Sequence, residues 1–412
     1  MSPGARPEVD LDHHSPSFAR DPLAAVGAAR ASCPVGWSPH HGGFWALTRY
    51  DDVVRVLNDA AAFSSRHDLD PASPFKGVTI PPPPMCFIPV EMDPPEFMAY
   101  RRLLNPMFSP AAVARLQPTM VAFTDWCIDQ AVERGSMDLV YDLASPVPAM
   151  VTLELLGLPT DEWQRYATTF HDMAGYPPGS PQLEAAFASA AEITTDLTSL
   201  VTARRGSPQR QRRGGVDELI DATVDGAPIP VPVLVDMIKL ILAGGIDTTT
   251  GAAAGAFAYL ASHPDARARL IASPSLMETA VEEFVRWVTP TPVLARTATC
   301  PFPIGGQEIG THERVMANLF AANRDPAAFE RPDDVVLDRA PNRHVSFGAG
   351  IHRCVGANLA RAELAVMLSR VLARLPDYAV DMSSAERYHT AGVQNGWVSL
   401  PATFTSPARP PR

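Results

Sequence analysis

The amino-acid sequence predicts a mainly α protein, with one large helical domain and a small β-rich part. Two long stretches, residues 232–263 and 354–375, carry apolar side chains at helical spacing. Strand signals are confined to short aromatic and β-branched runs. No Gly/Ser-rich or acidic linker and no internal repeat divides the 412 residues, and the 46% of hydrophobic side chains can bury a large core.

The ends of the chain differ from its middle in composition. The first residues are polar and rich in histidine and proline, so we expect a flexible amino-terminal arm there. The predicted parts are the arm at 1–21, a single domain at 22–406, a tail at 407–412, and β-rich regions near 35–80, 295–320 and 385–405.

Local signals place several elements within the predicted domain. The run VGWSPHHGGFWALTRY predicts a β-hairpin turning at Gly42 and Gly43, and DDVVRVLNDAAAF predicts a helix capped by Asp51. The proline-rich run PASPFKGVTIPPPPMCFIPVEMDPPE cannot be a regular helix, and such a long apolar loop often lines a pocket. The basic run at 204–215 is interpreted as a solvated surface loop.

Charge and cysteine usage exclude several functions. With 45 acidic against 34 basic side chains, a net charge of -11 disfavours nucleic acid and anionic membranes as partners. Five cysteines without a CxxC pair, and no signal peptide, favour a reducing cytoplasm. The most apolar stretch is interrupted by Asp236, Lys239 and Asp247, so no membrane span is expected. We expect a cytoplasmic monomer.

One cysteine stands at the start of a long amphipathic helix. After Cys354, the side chains of Leu364, Leu368, Val371 and Leu375 recur at helical spacing and predict a buried stripe. At a helix amino terminus, unpaired N–H groups and the positive end of the dipole stabilise a thiolate. We therefore expect a lowered pKa for the Cys354 thiol.

Glycines surround this cysteine on both sides. Gly348 and Gly350 allow a tight loop that can approach a flat group, and Gly356 permits close packing after the thiol. Because no other cysteine lies at metal-site spacing, a single axial metal ligand fits better than a zinc site. Four cysteines are interpreted as inert, namely Cys33, Cys86, Cys127 and Cys300. An inert Cys354 in a plain helical protein remains the alternative.

A second unusual pattern lies in the long helix predicted over 232–263. Gly244, Asp247, Thr248 and Gly251 share one face of it, so a gap in side-chain bulk adjoins an acid and a hydroxyl. Each glycine costs helix stability, about 1 kcal/mol relative to alanine. Close helix packing would explain the glycines from Gly251 onward, whereas the GGIDT segment is better explained by a functional groove.

The residues of this loop match the sequence motif of a known family. The loop matches F-x-x-G-x-H-x-C-x-G through Phe347, Gly350, His352, Cys354 and Gly356. This pattern resembles the haem-ligand loop of the cytochrome P450 monooxygenases, in particular the soluble, bacterial, ferredoxin-dependent type. The resemblance implies the cytochrome P450 fold and a haem b whose iron is bound by the Cys354 thiolate. It also implies that Phe347 packs near the thiolate, that Gly348 and Gly356 belong to the haem-binding loop, and that His352 hydrogen-bonds a haem propionate.

Further motifs in the same order extend the resemblance over most of the chain. The family's oxygen-binding groove matches Gly244 with the proton-relaying pair Asp247 and Thr248. The family's propionate-binding arginines match Arg101 and Arg296. Its buried ExxR pair matches Glu283 and Arg286, with Arg339 as the third member, in a structural role. One departure is Phe97, which replaces a histidine common in the family and puts one propionate contact in doubt.

By resemblance, the protein inserts one atom of O2 into a C–H bond of a largely hydrophobic small molecule. A terpenoid, fatty acid, polyketide or aromatic compound is expected, with electrons from an external ferredoxin and ferredoxin reductase. The substrate pocket would comprise Met85, Phe87, Ile88, Ala243, Val293, Leu294, Val393 and Gln394. Epoxidation, dealkylation or oxidative coupling, and a haem-binding sensor without turnover, are the alternatives.

Overall fold

The computed structural model describes residues 6–69, 77–207 and 213–406. The predicted tail at 407–412 and the centre of the basic run at 204–215 lie outside the described residues. Within them, the mainly α fold with small sheets is confirmed. The α-helices are α1 Pro16–Arg20, α2 Pro22–Ser32, α3 Tyr50–Asn58, α4 Glu96–Leu104, α5 Pro110–Val132, α6 Pro146–Leu156, α7 Trp163–Gly175, α8 Pro181–Arg205, α9 Gly215–Asp221, α10 Val231–Ser262, α11 Pro264–Ala272, α12 Met277–Val288, α13 Leu319–Ala322 and α14 Ala357–Arg374.

The strands are short and form five small sheets in the described part of the chain. They are β1 Val35–Ser38, β2 Phe44–Leu47, β3 Phe63–Ser64, β4 Ser136–Asp138, β5 Thr223–Val224, β6 Ala227–Pro228, β7 Val293–Ala298, β8 Phe302–Ile304, β9 Gln307–Ile309, β10 Arg314–Asn318, β11 Ala379–Val380, β12 Glu386–Arg387, β13 Trp397–Ser399 and β14 Pro401–Thr403. Strands β4, β5, β6 and β11 lie outside the ranges in which the sequence predicts β structure.

The main sheet has the strand order β1-β2-β10-β7-β3. Strands β1 and β2 form the predicted hairpin, and its turn needs Gly42 and Gly43, which have φ of 85° and 90°. Strand β10 lies parallel to β2 and antiparallel to β7. The helix after the hairpin begins at Tyr50, so Asp51 lies in its first turn and is not the predicted cap.

Helix α10 lies at the centre of the helical part. It contacts α6, α7, α8, α12 and α14, and most of its side chains are buried. A helix that is apolar nearly all round must be buried on all sides, which explains this position. Although α10 is long, no helix among the described residues is both long and apolar enough to cross a membrane.

The amino-terminal segment packs against the sheet. The sequence predicts a flexible arm over 1–21, which the structure contradicts for residues 6–21. Val9, Leu11 and Phe18 are buried in one cluster with Phe44 of β2, and Glu8 pairs with a strand residue, Trp37. Burial of these apolar side chains stabilises the packed segment. Its polar, histidine-rich and proline-rich composition does not predict this packing.

Candidate active site

A large cavity lies between α10 and the loop at 346–356. It is partly open to solvent and has a volume of about 280 Å³. Cys354, Phe347 and His352 line one wall, and Gly244 and Thr248 of α10 line the opposite wall. The structure therefore brings the predicted thiol loop and the predicted groove of α10 to the same cavity.

Two glycines and a backbone hydrogen bond shape the loop. Gly348 and Gly350 have φ of 68° and 67°, a conformation that L side chains rarely adopt. A Cβ on Gly350 would also lie 2.5 Å from the carbonyl oxygen of Leu57, so this residue must be glycine for two reasons. The amide of Cys354 donates to the carbonyl of Phe347 at 2.8 Å and closes the loop.

The thiol of Cys354 is exposed to this cavity, deep inside the molecule. Helix α14 begins only at Ala357, after a Gly356 cap, and its predicted stripe is buried. Burial raises the pKa of Cys354, against the opposing effects of the Gly356 amide and of nearby arginines. The lowered pKa expected from the sequence is therefore wrong, because desolvation outweighs the helix end. Binding to a metal deprotonates a coordinating thiol outright.

His352 has an unusual environment on the same wall. Both of its ring nitrogens are buried without a hydrogen-bond partner among the described residues. Burial, together with the charges of Arg296 and Arg101, lowers the pKa of His352 to about 3. Phe97, which replaces the family's histidine, packs its ring 4.2 Å from the imidazole. Buried polar atoms normally have partners, so these nitrogens indicate that a polar group of a bound molecule belongs here.

The two predicted propionate arginines lie near His352, but only Arg101 lines the cavity. Arg101 lines the cavity and donates to the carbonyl of Arg353 at 2.7 Å. Arg296 is almost fully buried, and its one hydrogen bond to the described residues goes to the carbonyl of Ala295 at 2.8 Å. Burial lowers the pKa of Arg296 to about 10. A buried guanidinium with free donors favours an anionic partner.

The ExxR residues form a buried ion pair beside the loop. Arg286 donates two hydrogen bonds of 2.8 Å to the carboxylate of Glu283, and both side chains are 0% exposed. Arg339 adds a third at 2.9 Å. Burial raises the pKa of Glu283, but the bonded arginines outweigh it and lower the pKa overall. Arg286 also binds three backbone carbonyls, so the group joins α12 to the chain before the loop.

The predicted groove of α10 splits into two parts. A Cβ on Gly244 would meet nothing within 4 Å, so this residue leaves open space on the cavity side. Thr248 lines the cavity and donates to the carbonyl of Gly244 at 2.7 Å. Asp247 is 0% exposed and does not line the cavity. Its carboxylate accepts hydrogen bonds from His171 and Tyr388 behind the helix.

A second, mostly apolar cavity lies beyond the first, under α7 and the proline-rich loop. The predicted pocket residues Phe87, Ala243, Val393 and Gln394 line it, and Leu294 lines the first cavity. The predicted residues Met85, Ile88 and Val293 line neither cavity. Ile88 and Val293 are instead buried in apolar clusters, where packing with neighbouring elements decides their orientation.

Several residues at these sites were not predicted from the sequence. Glu363 of α14 is 1% exposed, lines the first cavity, and has a pKa raised well above its ordinary value by burial. His171 lies on the buried face of α7 with Tyr166, Phe170 and Ala174. The helical spacing of that face could have identified His171 as buried. Nothing local to the sequence predicts its contact with Asp247.

Comparisons with known proteins agree with this site. A family model for Cytochrome P450 matches residues 271–381, which include the ExxR pair and the cysteine loop. The steroid C26-monooxygenase of Mycolicibacterium smegmatis is 32% identical over 412 residues, covering 98% of each chain. The cytochrome P450 CYP268A2 of Mycobacterium marinum, solved in complex with pseudoionone, has a TM-score of 0.86 and 28% identity over 97% of this chain and 100% of that chain. CYP108D1 of Novosphingobium aromaticivorans has a TM-score of 0.84 and 28% identity over the same shares.

The chain therefore belongs to the cytochrome P450 family. It is a cytochrome P450 monooxygenase, and its predicted P450 fold is confirmed. This family and fold carry haem b, with its iron bound by a cysteine thiolate. The cavity fits this cofactor, because one wall presents a thiol and unpartnered ring nitrogens. On the opposite wall, Gly244 has no side chain and leaves open space.

Proposed function

We propose that this enzyme hydroxylates a largely hydrophobic small molecule with electrons from an external ferredoxin and its reductase. One observation carries the proposal. The cavity that presents the Cys354 thiol faces the open space at Gly244 and is lined mainly by apolar side chains. An apolar ligand can therefore lie against the face of a cofactor held by the thiol.

The residues on the thiol wall divide the binding of haem between them. Cys354 would bind the iron, and His352, Arg101 and Arg296 would bind the propionates, which supplies acceptors for their free nitrogens. Gly244 would leave room for dioxygen and substrate on the other face. When bound, haem with a thiolate ligand supplies the electron transfer and oxygen activation that no side chain can.

Proton supply would fall to Asp247 and Thr248 of α10. The Thr248 hydroxyl lies at the cavity and is held by the carbonyl of Gly244. Asp247, the next residue toward the amino terminus, has its carboxylate in a buried polar cluster behind the helix. The acid would exchange protons with that cluster, and the hydroxyl would hold a proton at the cavity.

The substrate class follows from the apolar character of both cavities. Phe87, Phe170, Met173 and Val393 line the second cavity, and Gln394 offers a polar contact. An elongated terpenoid or steroid would fit this arrangement. The names of two relatives, a steroid C26-monooxygenase and a P450 bound to pseudoionone, point to the same kind of molecule.

A basic surface on the thiol side would receive the ferredoxin. Arg102, Arg343 and Arg353 are exposed near the loop of Cys354. Arg361 of α14 is bound by Glu282 and contributes less free charge. Positive charge attracts an acidic partner and speeds association. If Arg102→Glu leaves the rate of reduction by ferredoxin unchanged, this surface is not the docking site.

The first experiment is spectroscopic. The purified protein is reduced under carbon monoxide, and the ferric protein is titrated with testosterone, pseudoionone, dodecanoic acid, a macrolide and naphthalene. We expect a thiolate-type Soret band and a spin-state shift with testosterone or pseudoionone. Turnover of that ligand with a ferredoxin, its reductase and NADPH should give a hydroxylated product. A histidine-type band would contradict the site, and an epoxidised or dealkylated product would contradict hydroxylation.

A further inference from the structure

The carboxylate of Asp247 is the centre of a buried polar cluster behind α10. Its Oδ1 accepts a hydrogen bond from Nδ1 of His171 at 2.9 Å, and its Oδ2 accepts one from the hydroxyl of Tyr388 at 2.7 Å. With its amide nitrogen turned toward the acid, Gln394 donates to Oδ2 at 2.6 Å. Three elements of the fold therefore meet at one carboxylate that water does not reach.

His171 is the one basic group in ion-pair contact with Asp247 within the described residues. Burial of an unpaired carboxylate is costly, so the acid requires a positive partner here. The Asp247 carboxylate faces one side of the imidazole. On the other side the Val398 carbonyl also favours the charged form, without a well-aligned hydrogen bond to Nε2. A carboxylate bonded to Nδ1 and a carbonyl near Nε2 favour an imidazolium over a neutral ring.

The surroundings of His171 contain few other charges. Burial lowers its pKa, but the charge and hydrogen bond of Asp247 outweigh burial, so the pKa of His171 is raised. Asp172 on α7 acts in the same direction. The rings of Tyr141, from the turn before α6, and of Tyr388 lie 5.8 and 5.1 Å from the imidazole. Burial and the charge of Asp247 raise the pKa of Tyr388 well above its ordinary value, so Tyr388 stays neutral.

Two glycines fix the position of the tyrosine. A Cβ on Gly175, at the end of α7, would lie 3.2 Å from the Tyr388 ring, and one on Gly396 would lie 2.7 Å from it. The ring therefore fits between backbone segments that approach closely. Helix α7 also carries Phe170 and Met173, which line the second cavity, so the cluster adjoins the proposed substrate space.

We propose that His171 is a positioning residue for the proton supply of this enzyme: its imidazolium holds the Asp247 carboxylate in the buried cluster behind Thr248. This proposal rests on the proposed role of Asp247 and Thr248 in proton supply. When His171 loses its proton, the carboxylate loses its positive partner and its fixed position. Turnover then slows while substrate binding stays the same, because His171 lines neither cavity.

The pairing can be measured without turnover. The protein is labelled with 15N-histidine, held in the diamagnetic ferrous carbon monoxide form, and titrated by NMR, with His171→Asn identifying the His171 signal. We expect His171 to titrate above the ordinary value of about 6.5, and Asp247→Asn to shift its pKa downward. A His171 pKa at or below 6.5, or one unchanged by Asp247→Asn, would overturn the proposal whether or not the enzyme turns over a tested ligand.

Steady-state kinetics test the consequence of the pairing. Asparagine keeps a donor near the position of Nδ1 but cannot become charged, so His171→Asn should lower kcat about tenfold and leave KM unchanged. The fall of kcat at high pH in the wild type should be absent from this variant. His389→Asn, at a half-exposed histidine near the end of α7, is the matched control and should behave as the wild type.

A second variant distinguishes a folding defect from loss of the positive charge. Tyr388→Phe removes the hydroxyl's hydrogen bond to Asp247 and its contact with Nδ1 of His171, but it keeps the pair of His171 and Asp247. It should therefore retain the pH dependence of kcat and the raised pKa of His171. If His171→Asn keeps the wild-type kcat and pH profile, the proposal is wrong. If the wild type forms no product from any ligand, the proposed function fails, and the NMR titration alone decides the pairing.

Discussion

Individual residues on the thiol wall show what the site is built to hold. His352 has two buried nitrogens without partners, and Arg296 is buried with most of its donors free. Burying these nitrogens without partners costs free energy. Anionic groups that bind both residues would offset that cost. The neutral imidazole of His352 then acts as a donor, and Arg296 and Arg101 carry the charge.

Replacement of the thiol tests the residue that defines the family. Cys354→Ser exchanges the thiolate for a hydroxyl, a much weaker donor to iron, so we expect loss of the thiolate-type Soret band under carbon monoxide. Absorption spectroscopy of the reduced protein is the measurement. Cys127→Ser, at a buried cysteine away from the cavity, is the control and should keep the band. An unchanged band in Cys354→Ser would show that another residue binds the iron.

Thr248 is expected to affect the use of electrons more than binding. Thr248→Ala removes the hydroxyl at the cavity wall, so proton supply should fail at the last step and electrons should be diverted to peroxide. We expect an unchanged spectral Kd and an at least several-fold lower ratio of product to NADPH consumed. Thr250→Ala, whose hydroxyl binds the carbonyls of Ile246 and Ala144 instead, is the matched control. Equal coupling in all three proteins would refute the assignment.

At the scale of elements, helix α10 uses its glycines in two different ways. A Cβ on Gly251 would lie 2.8 Å from the carbonyl oxygen of Asn395, and one on Gly255 would lie 2.5 Å from Val288. These two glycines allow close packing. Gly244 differs, since a Cβ there would enter open space beside the thiol wall.

Substitution should separate these two uses. Gly244→Leu places a side chain in the cavity, so haem content should fall while the helix itself gains about 1 kcal/mol from better propensity. Gly251→Ala should instead lower the Tm with less effect on haem content, because its Cβ meets backbone. Pyridine haemochrome assays and thermal unfolding measure the two effects. Full haem content in Gly244→Leu would contradict the assigned space.

The buried ion pair of α12 should make a measurable contribution to stability. Arg286→Met leaves the Glu283 carboxylate buried with only Arg339 as a charged partner, and we expect a loss of about 3 to 5 kcal/mol in the free energy of unfolding. Urea unfolding measures it. The double variant Glu283→Leu, Arg286→Met should lose less, because both fully buried charges are removed and Arg339 keeps its hydrogen bonds to the carbonyls of Glu330 and Arg331. A larger loss in the double variant would contradict this account.

On the scale of the whole molecule, the amino-terminal segment is part of the fold. His13 and His14 are buried between the hairpin and the proline-rich loop, and both bind the carbonyl of Ile80. Burial lowers their pKa values to about 3 and about 4. Their neutral forms therefore hold the segment against the sheet at neutral pH.

This burial predicts sensitivity to acid. Because the folded pKa values lie below the ordinary value of 6.5, the unfolded chain binds protons first, and stability should fall as pH drops from 6.5 toward 4. His13→Gln should show a shallower fall of Tm over that range than the wild type. The control His263→Gln changes an exposed histidine and should not. Equal slopes in all three proteins would refute the prediction.

The family, the thiol loop, the gap at Gly244 and the mainly α fold could all be predicted from the sequence, because they depend on local spacing and on residue types with few alternatives. These features depend on residues that are close together along the chain: glycines at positive φ, the apolar stripe of one helix and a ten-residue motif. The tertiary structure alone decided that Asp247 turns away from the cavity to meet His171 and Tyr388, residues 76 and 141 positions away. It also decided that burial raises the pKa of Cys354 and that the amino-terminal segment packs. Desolvation and contacts between distant elements set these properties, and neither can be read from spacing along the chain.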